Sequence, residues 1–129
     1  MALGADEAIM LDTAGHVSEA SASNIFVVAG GRVHTPPASC GILPGITRRV
    51  VLEILARLGP QVSEEPFGPE LFAAADEVFL TSSVREIVAV TRINSTPFSR
   101  AGSGPVTNRV AAAYAARVRS EVDDGRASP

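Results

Sequence analysis

An α+β fold is predicted, and three observations carry it: short β-type runs bounded by turn residues, two segments of helical apolar period, and no regular alternation of strand with helix. With 129 residues, 46% of them hydrophobic, the chain reads as one folded domain with a core of its own.

The elements follow in order. Glu7 to Leu11 is an apolar run closed by Asp12, Thr13, Ala14 and Gly15, which reads as a strand and a reversal. His16 to Glu19 then leads into the small polar residues Ser21 to Asn24, and Ile25 to Val28 is the most strand-like run of the chain. Gly30 and Gly31 supply the tight turn of a hairpin whose returning strand is Arg32 to Thr35, stopped by Pro36 and Pro37. A helix is predicted from Ile46 to Leu58, because Ile46, Val50, Val51, Ile54, Leu55 and Leu58 repeat near 3.6 residues while Arg49, Glu53 and Arg57 fall on the other side. Gly59 and Pro60 end it. Gln61 to Glu65 reads as a short strand, Pro69 to Ala75 as a short helix opened by its proline, and Glu77 to Thr81 and Arg85 to Ile93 as two further strands. Asn94 to Gly104 is loop by composition. Pro105 opens the last helix, on which Val106, Val110, Ala113, Tyr114 and Val118 share a face. The domain is placed at residues 1–122 and a frayed tail at 123–129.

Composition excludes several function classes. A formal charge of −3 without any basic run argues against nucleic acid, which requires clustered cations. No segment reads as a signal peptide or membrane span, and the single cysteine, Cys40, has no internal disulfide partner, so a reducing, cytoplasmic setting is expected. His16 and His34 have no partner at metal-ligand spacing and are assigned to loops or surface; no metal is expected, and Cys40 is read as a small half-buried residue. All 11 basic residues are arginine, so chemistry that needs a lysine amine is closed to this chain by itself.

Chemistry concentrates in three polar clusters at element ends: Glu19 with Ser21, Ser23 and Asn24; Ile46 with Thr47; and Thr81, Ser82 and Ser83. The stretch Gly41-Ile-Leu-Pro-Gly-Ile-Thr-Arg48 runs straight into the first helix, and a helix start presents unpaired N–H groups and a positive dipole end to an anion. Together the clusters suit a phosphorylated ligand with a ring nitrogen, held by hydroxyl and amide donors at one end and a carboxylate at the other. Taken singly, each has a commoner reading: an ordinary loop-to-helix junction, a surface carboxylate at Glu19, and serine-rich turns.

In this order, Val17-Ser18-Glu19, Ser23-Asn24-Ile25-Phe26, Thr35-Pro36-Pro37, Gly41 to Arg48, Ala75 to Thr81 and Gly104-Pro105-Val106-Thr107 resemble the class IV aminotransferases, the fold-type IV pyridoxal-phosphate enzymes. That family includes branched-chain and D-amino-acid aminotransferases and aminodeoxychorismate lyase. The resemblance implies the C-terminal domain of the D-amino-acid-aminotransferase-like fold. It gives Glu19 the pyridine nitrogen, Leu43 the ring face, Ile46, Thr47 and Ser83 the phosphate, and Val84 a backbone position beside the substrate carboxylate. It also implies an amino-acid or keto-acid substrate, a homodimeric full-length enzyme, and an N-terminal half carrying the anchoring lysine and a phosphate-binding arginine upstream of Glu7. A branched-chain type is favoured, with aminodeoxychorismate lyase as the alternative in the family and a non-catalytic remnant or binding module as the alternative outside it. This chain alone is expected to be inactive in transamination. It departs from the family pattern where Glu19-Ala20 replaces Glu-Gly, Thr81-Ser82-Ser83 replaces Thr-Gly-Thr, and Asn94-Ser95 replaces Asp-Gly.

Overall fold

Strands with no polar face need cover on both sides, and the two most apolar runs of this chain find it by pairing with each other at the centre of a sheet. The computed structural model describes residues 9–20, 23–42, 45–82, 86–90, 92–93, 96–97 and 104–123. Its strands are β1 (Ile9–Leu11), β2 (Val17–Ala20), β3 (Asn24–Ala29), β4 (Arg32–His34), β5 (Gln61–Ser63), β6 (Glu77–Ser82), β7 (Glu86–Val90), β8 (Arg92–Ile93) and β9 (Thr96–Pro97). Two helices, α1 (Ile46–Leu58) and α2 (Pro105–Asp123), complete it with 3₁₀ turns at Ala38–Cys40 and Pro69–Ala74.

The main sheet has the order β5-β4-β3-β6-β7, antiparallel except for the β4–β5 pair. Alternation along β3 sends Ile25 and Val27 to one face and Phe26 and Val28 to the other, and β6 does the same with Val78 and Leu80 against Phe79. The first face packs on Val17 and Ala20 of β2 and on Phe67, Leu71 and Phe72. The second receives both helices, through Val51 and Leu55 of α1 and Val110 of α2. Phe26 and Phe79, opposite each other in the ladder, stack with ring centroids 5.0 Å apart.

Most predicted elements stand where the residues put them. The hairpin turn is Gly30-Gly31 with both φ positive (61° and 77°), the combination that only glycine adopts without strain. Helix α1 begins and ends at the residues read from its periodicity, with Gly59 left-handed at φ 106°. Three differences have physical causes. His34, assigned to loops or surface, is a half-buried residue within the predicted returning strand, opposite Val27, because the turn at Gly30-Gly31 sets the register of everything after it. The run predicted as one strand, Arg85 to Ile93, divides between β7 on the main sheet and β8, which folds back on β9 within the segment read as loop. The run predicted as a helix at Pro69–Ala75 is a tighter 3₁₀ turn, Pro69–Ala74.

Candidate functional site

The start of α1 is built against the ends of the two central strands. Gly45 precedes the helix in an extended conformation (φ −90°, ψ 153°), and a Cβ there would lie 2.8 Å from Asn24 Oδ1. A larger residue here would have to displace the Asn24 amide, although the dihedral angles themselves suit any residue. Asn24 opens β3 and pairs with Thr81 near the end of β6; opposite residues in an antiparallel pair share a face, so Thr81 looks toward the same helix start. The next residue, Ser82, accepts a hydrogen bond through its carbonyl from Thr47 Oγ1 at 3.2 Å. Asn24, Gly45, Thr47 and Thr81-Ser82 thus meet in one place, which joins the second and third polar clusters. Glu19 reaches the same end of the sheet: Ala20 bridges to Ser23, and Glu19 stands one residue before it on β2.

The helix start is suited to an anion. The N-cap residue, Gly45, has no side chain to offer, no acidic residue lies in the first turn, and among the described residues neither the Ile46 nor the Thr47 N–H donates to a backbone acceptor. A shallow hollow of about 260 Å³ opens there, lined by Gly45, Ile46, Arg48 and Arg49. Among the described residues, Thr81 Oγ1 and Arg48 Nε are buried without a hydrogen-bond partner. Arg48 is otherwise engaged, donating to Pro36 O (3.0 Å) and Glu64 Oε1 (3.1 Å), so it fixes the helix to the loop before it. One expectation changes in detail: the Thr47 hydroxyl, read as a spare donor, gives its proton to Ser82, so it must rotate before it donates to an anion. A larger hollow of about 840 Å³ lies between α1 and α2, lined by Ile54, Arg57, Leu58, Ala113, Ala116, Arg117 and Ser120, away from all of these groups. Leu43, Ser83 and Val84 lie outside the described residues.

The family model for class IV amino-transferases matches residues 1–93. The chain belongs to the class IV aminotransferase family. It is 35% identical over 121 residues to the branched-chain-amino-acid aminotransferase of Escherichia coli, a match covering 94% of this chain and 39% of that protein. Its fold superposes on the crystal structure of the Escherichia coli enzyme with a TM-score of 0.83 at 36% identity, covering 86% of this chain and 36% of the other. A similar likeness, TM-score 0.82 at 30% identity over 88% of this chain and 41% of the other, holds for a putative 4-amino-4-deoxychorismate lyase from Legionella pneumophila. A further branched-chain aminotransferase, complexed with N-(5'-phosphopyridoxyl)-L-glutamate, matches at TM-score 0.80 and 36% identity, with 86% of this chain and 36% of that one covered. The chain spans about two fifths of the length of the curated relatives it matches (39%). The family depends on pyridoxal phosphate.

Two groups were not singled out from sequence. Glu77, at the beginning of β6, is 5% exposed, and its carboxylate accepts from the Val106 N–H (3.1 Å), the Thr107 N–H (2.8 Å) and the Thr107 hydroxyl (2.8 Å), closing the start of α2. An acidic residue leading an otherwise apolar strand was the available signal. Asp12, His16 and Cys40 are the second group. Backbone N–H groups of His16 and Ala14, the former foremost, hold the Asp12 carboxyl below its usual range, while burial and then Asp12 push the Cys40 thiol up. Cys40 is 3% exposed, more deeply buried than expected. No helix among the described residues is long and apolar enough to cross a membrane.

Proposed function

We propose that this chain is the part of a branched-chain-type aminotransferase that holds the phosphate and ring nitrogen of pyridoxal phosphate. The observation that carries the reading is the start of α1, whose first two amides have no backbone acceptor among the described residues, with Asn24, Thr47 and Thr81 gathered around it. In it the Ile46 and Thr47 N–H groups and the Thr47 hydroxyl bind the phosphate, helped by the helix dipole. Ser83 adds a second hydroxyl, and the β6 end that carries it is tied to α1 through Ser82. Glu19 keeps the pyridine nitrogen protonated, Leu43 packs on the ring, and the backbone at Val84 borders the substrate carboxylate. When bound, the protonated cofactor supplies an electron sink for chemistry at the substrate's α-carbon. Lysine is absent from the 129 residues, so covalent anchoring requires a group from another part of the enzyme. Relatives named as branched-chain aminotransferases favour that substrate class, and the likeness to the lyase from Legionella pneumophila keeps aminodeoxychorismate cleavage as the second reading.

Pyridoxal phosphate added to the protein is expected to bind reversibly, to be displaced by inorganic phosphate, and to resist borohydride fixation to any side chain once the N-terminal amine is acetylated. Thr47→Ala weakens the binding by on the order of 1 kcal/mol, one hydrogen bond's worth. Absence of phosphate competition overturns the site assignment. Sustained transamination by this chain alone overturns the division of labour with a lysine-bearing part.

A further inference from the structure

The turn between β1 and β2 carries Asp12 and His16, and the 3₁₀ turn after β4 carries Cys40; the fold brings one ligand atom of each within 4.8 Å of the others. These residues belong to two segments far apart in sequence, so their meeting is a product of tertiary structure. Asp12 divides its oxygens between two tasks. Oδ1 accepts the Ala14 and His16 N–H groups at 2.9 Å each and so shapes the turn, while Oδ2 stands 3.6 Å from His16 Nδ1. That separation is too long for a hydrogen bond. It is close to the distance between an oxygen and a nitrogen ligand on one tetrahedral ion, about 3.3–3.6 Å for bonds of roughly 2.0–2.2 Å.

We propose that Asp12, His16 and Cys40 form a three-ligand site for a zinc-class divalent cation, with the fourth position left to water. A carboxylate, an imidazole and a thiolate are the donor set such an ion takes, whereas calcium and magnesium select oxygen alone. The protein ligands differ in exposure in a way that suits entry from solvent: Cys40 is 3% exposed and forms the floor, and the His16 side chain is 40% exposed at the mouth. Binding exchanges the thiol proton for the metal, releasing one proton to solvent with no change of oxidation state. Because Cys40 closes the segment that leads into Gly45, the ion fastens the approach to α1 onto the β1–β2 turn.

The probe is cobalt(II), added to the reduced, metal-free protein and displaced by zinc. Expected are a thiolate-to-cobalt charge-transfer absorption with tetrahedral visible bands, loss of the charge-transfer absorption in Cys40→Ser, and at least about tenfold weaker binding in His16→Gln and Asp12→Asn. His16→Gln alters a half-buried side chain at the mouth of the site, and Asp12→Asn keeps a carbonyl for the two turn amides, so both variants retain the fold; circular dichroism checks it. No thiolate band in the unmodified protein overturns the site. A band that persists undiminished in His16→Gln and Asp12→Asn overturns it as well, since the cysteine would then bind cobalt alone.

Discussion

The two helices of this domain start in opposite chemical states, and both starts are anchored to the same strand. At the beginning of β6, the Glu77 carboxylate fills the start of α2 with three hydrogen bonds. At the far end of β6, Ser82 holds Thr47 while the first amides of α1 have no backbone acceptor among the described residues. Each helix is preceded by a glycine pressed on a strand side chain, Gly104 on Glu77 and Gly45 on Asn24. The difference lies in charge. A carboxylate already satisfies α2, whereas α1 meets the neutral Asn24 and carries Arg48 and Arg49 in its first turn. A helix dipole attracts an anion at every helix start, but only a start that the protein has not already filled with a carboxylate of its own can serve an anionic ligand.

The largest test of this contrast is removal of the internal anion. Glu77→Ala leaves the buried Thr107 N–H and the part-buried Val106 N–H unpaired, and is expected to lower stability by roughly 2–4 kcal/mol. Urea denaturation reads this as a fall in midpoint at unchanged slope. A loss below about 0.5 kcal/mol would show that the carboxylate is not what closes α2.

A smaller effect of opposite sign is expected at the other start. Ile46 is 72% exposed, so Ile46→Glu places a carboxylate on the first turn of α1 without disturbing the core. It should stabilise the fold by about 0.5 kcal/mol at low salt and weaken phosphate binding, since it makes α1 resemble α2. Thermal unfolding with and without phosphate measures both. Stabilisation without any loss of phosphate binding would separate the dipole from the site.

Much of this comparison was legible in the sequence, and the unread part has a common cause. Helix α1 could be read to the residue because Gly45, Gly59 and Pro60 punctuate a strong period, and the β3–β4 hairpin because Gly30-Gly31 admits few turns. The parallel pairing of β4 with β5 across α1, the Asn24–Gly45 contact and the Glu77 cap each join residues far apart in sequence. No local pattern encodes them. For the same reason His16 appeared partnerless, although Asp12 lies four residues before it and Cys40 is delivered by another segment. Hydrophobic period reports which face is buried, not which polar groups converge at the ends of elements.

The most direct test of the central claim is a titration of ¹⁵N-labelled protein with inorganic phosphate, followed amide by amide. The Ile46 and Thr47 resonances are expected to shift progressively and saturate, while Val106 and Thr107, bonded to Glu77, stay in place. Equal shifts at both helix starts, or none at Ile46 and Thr47, would contradict the account.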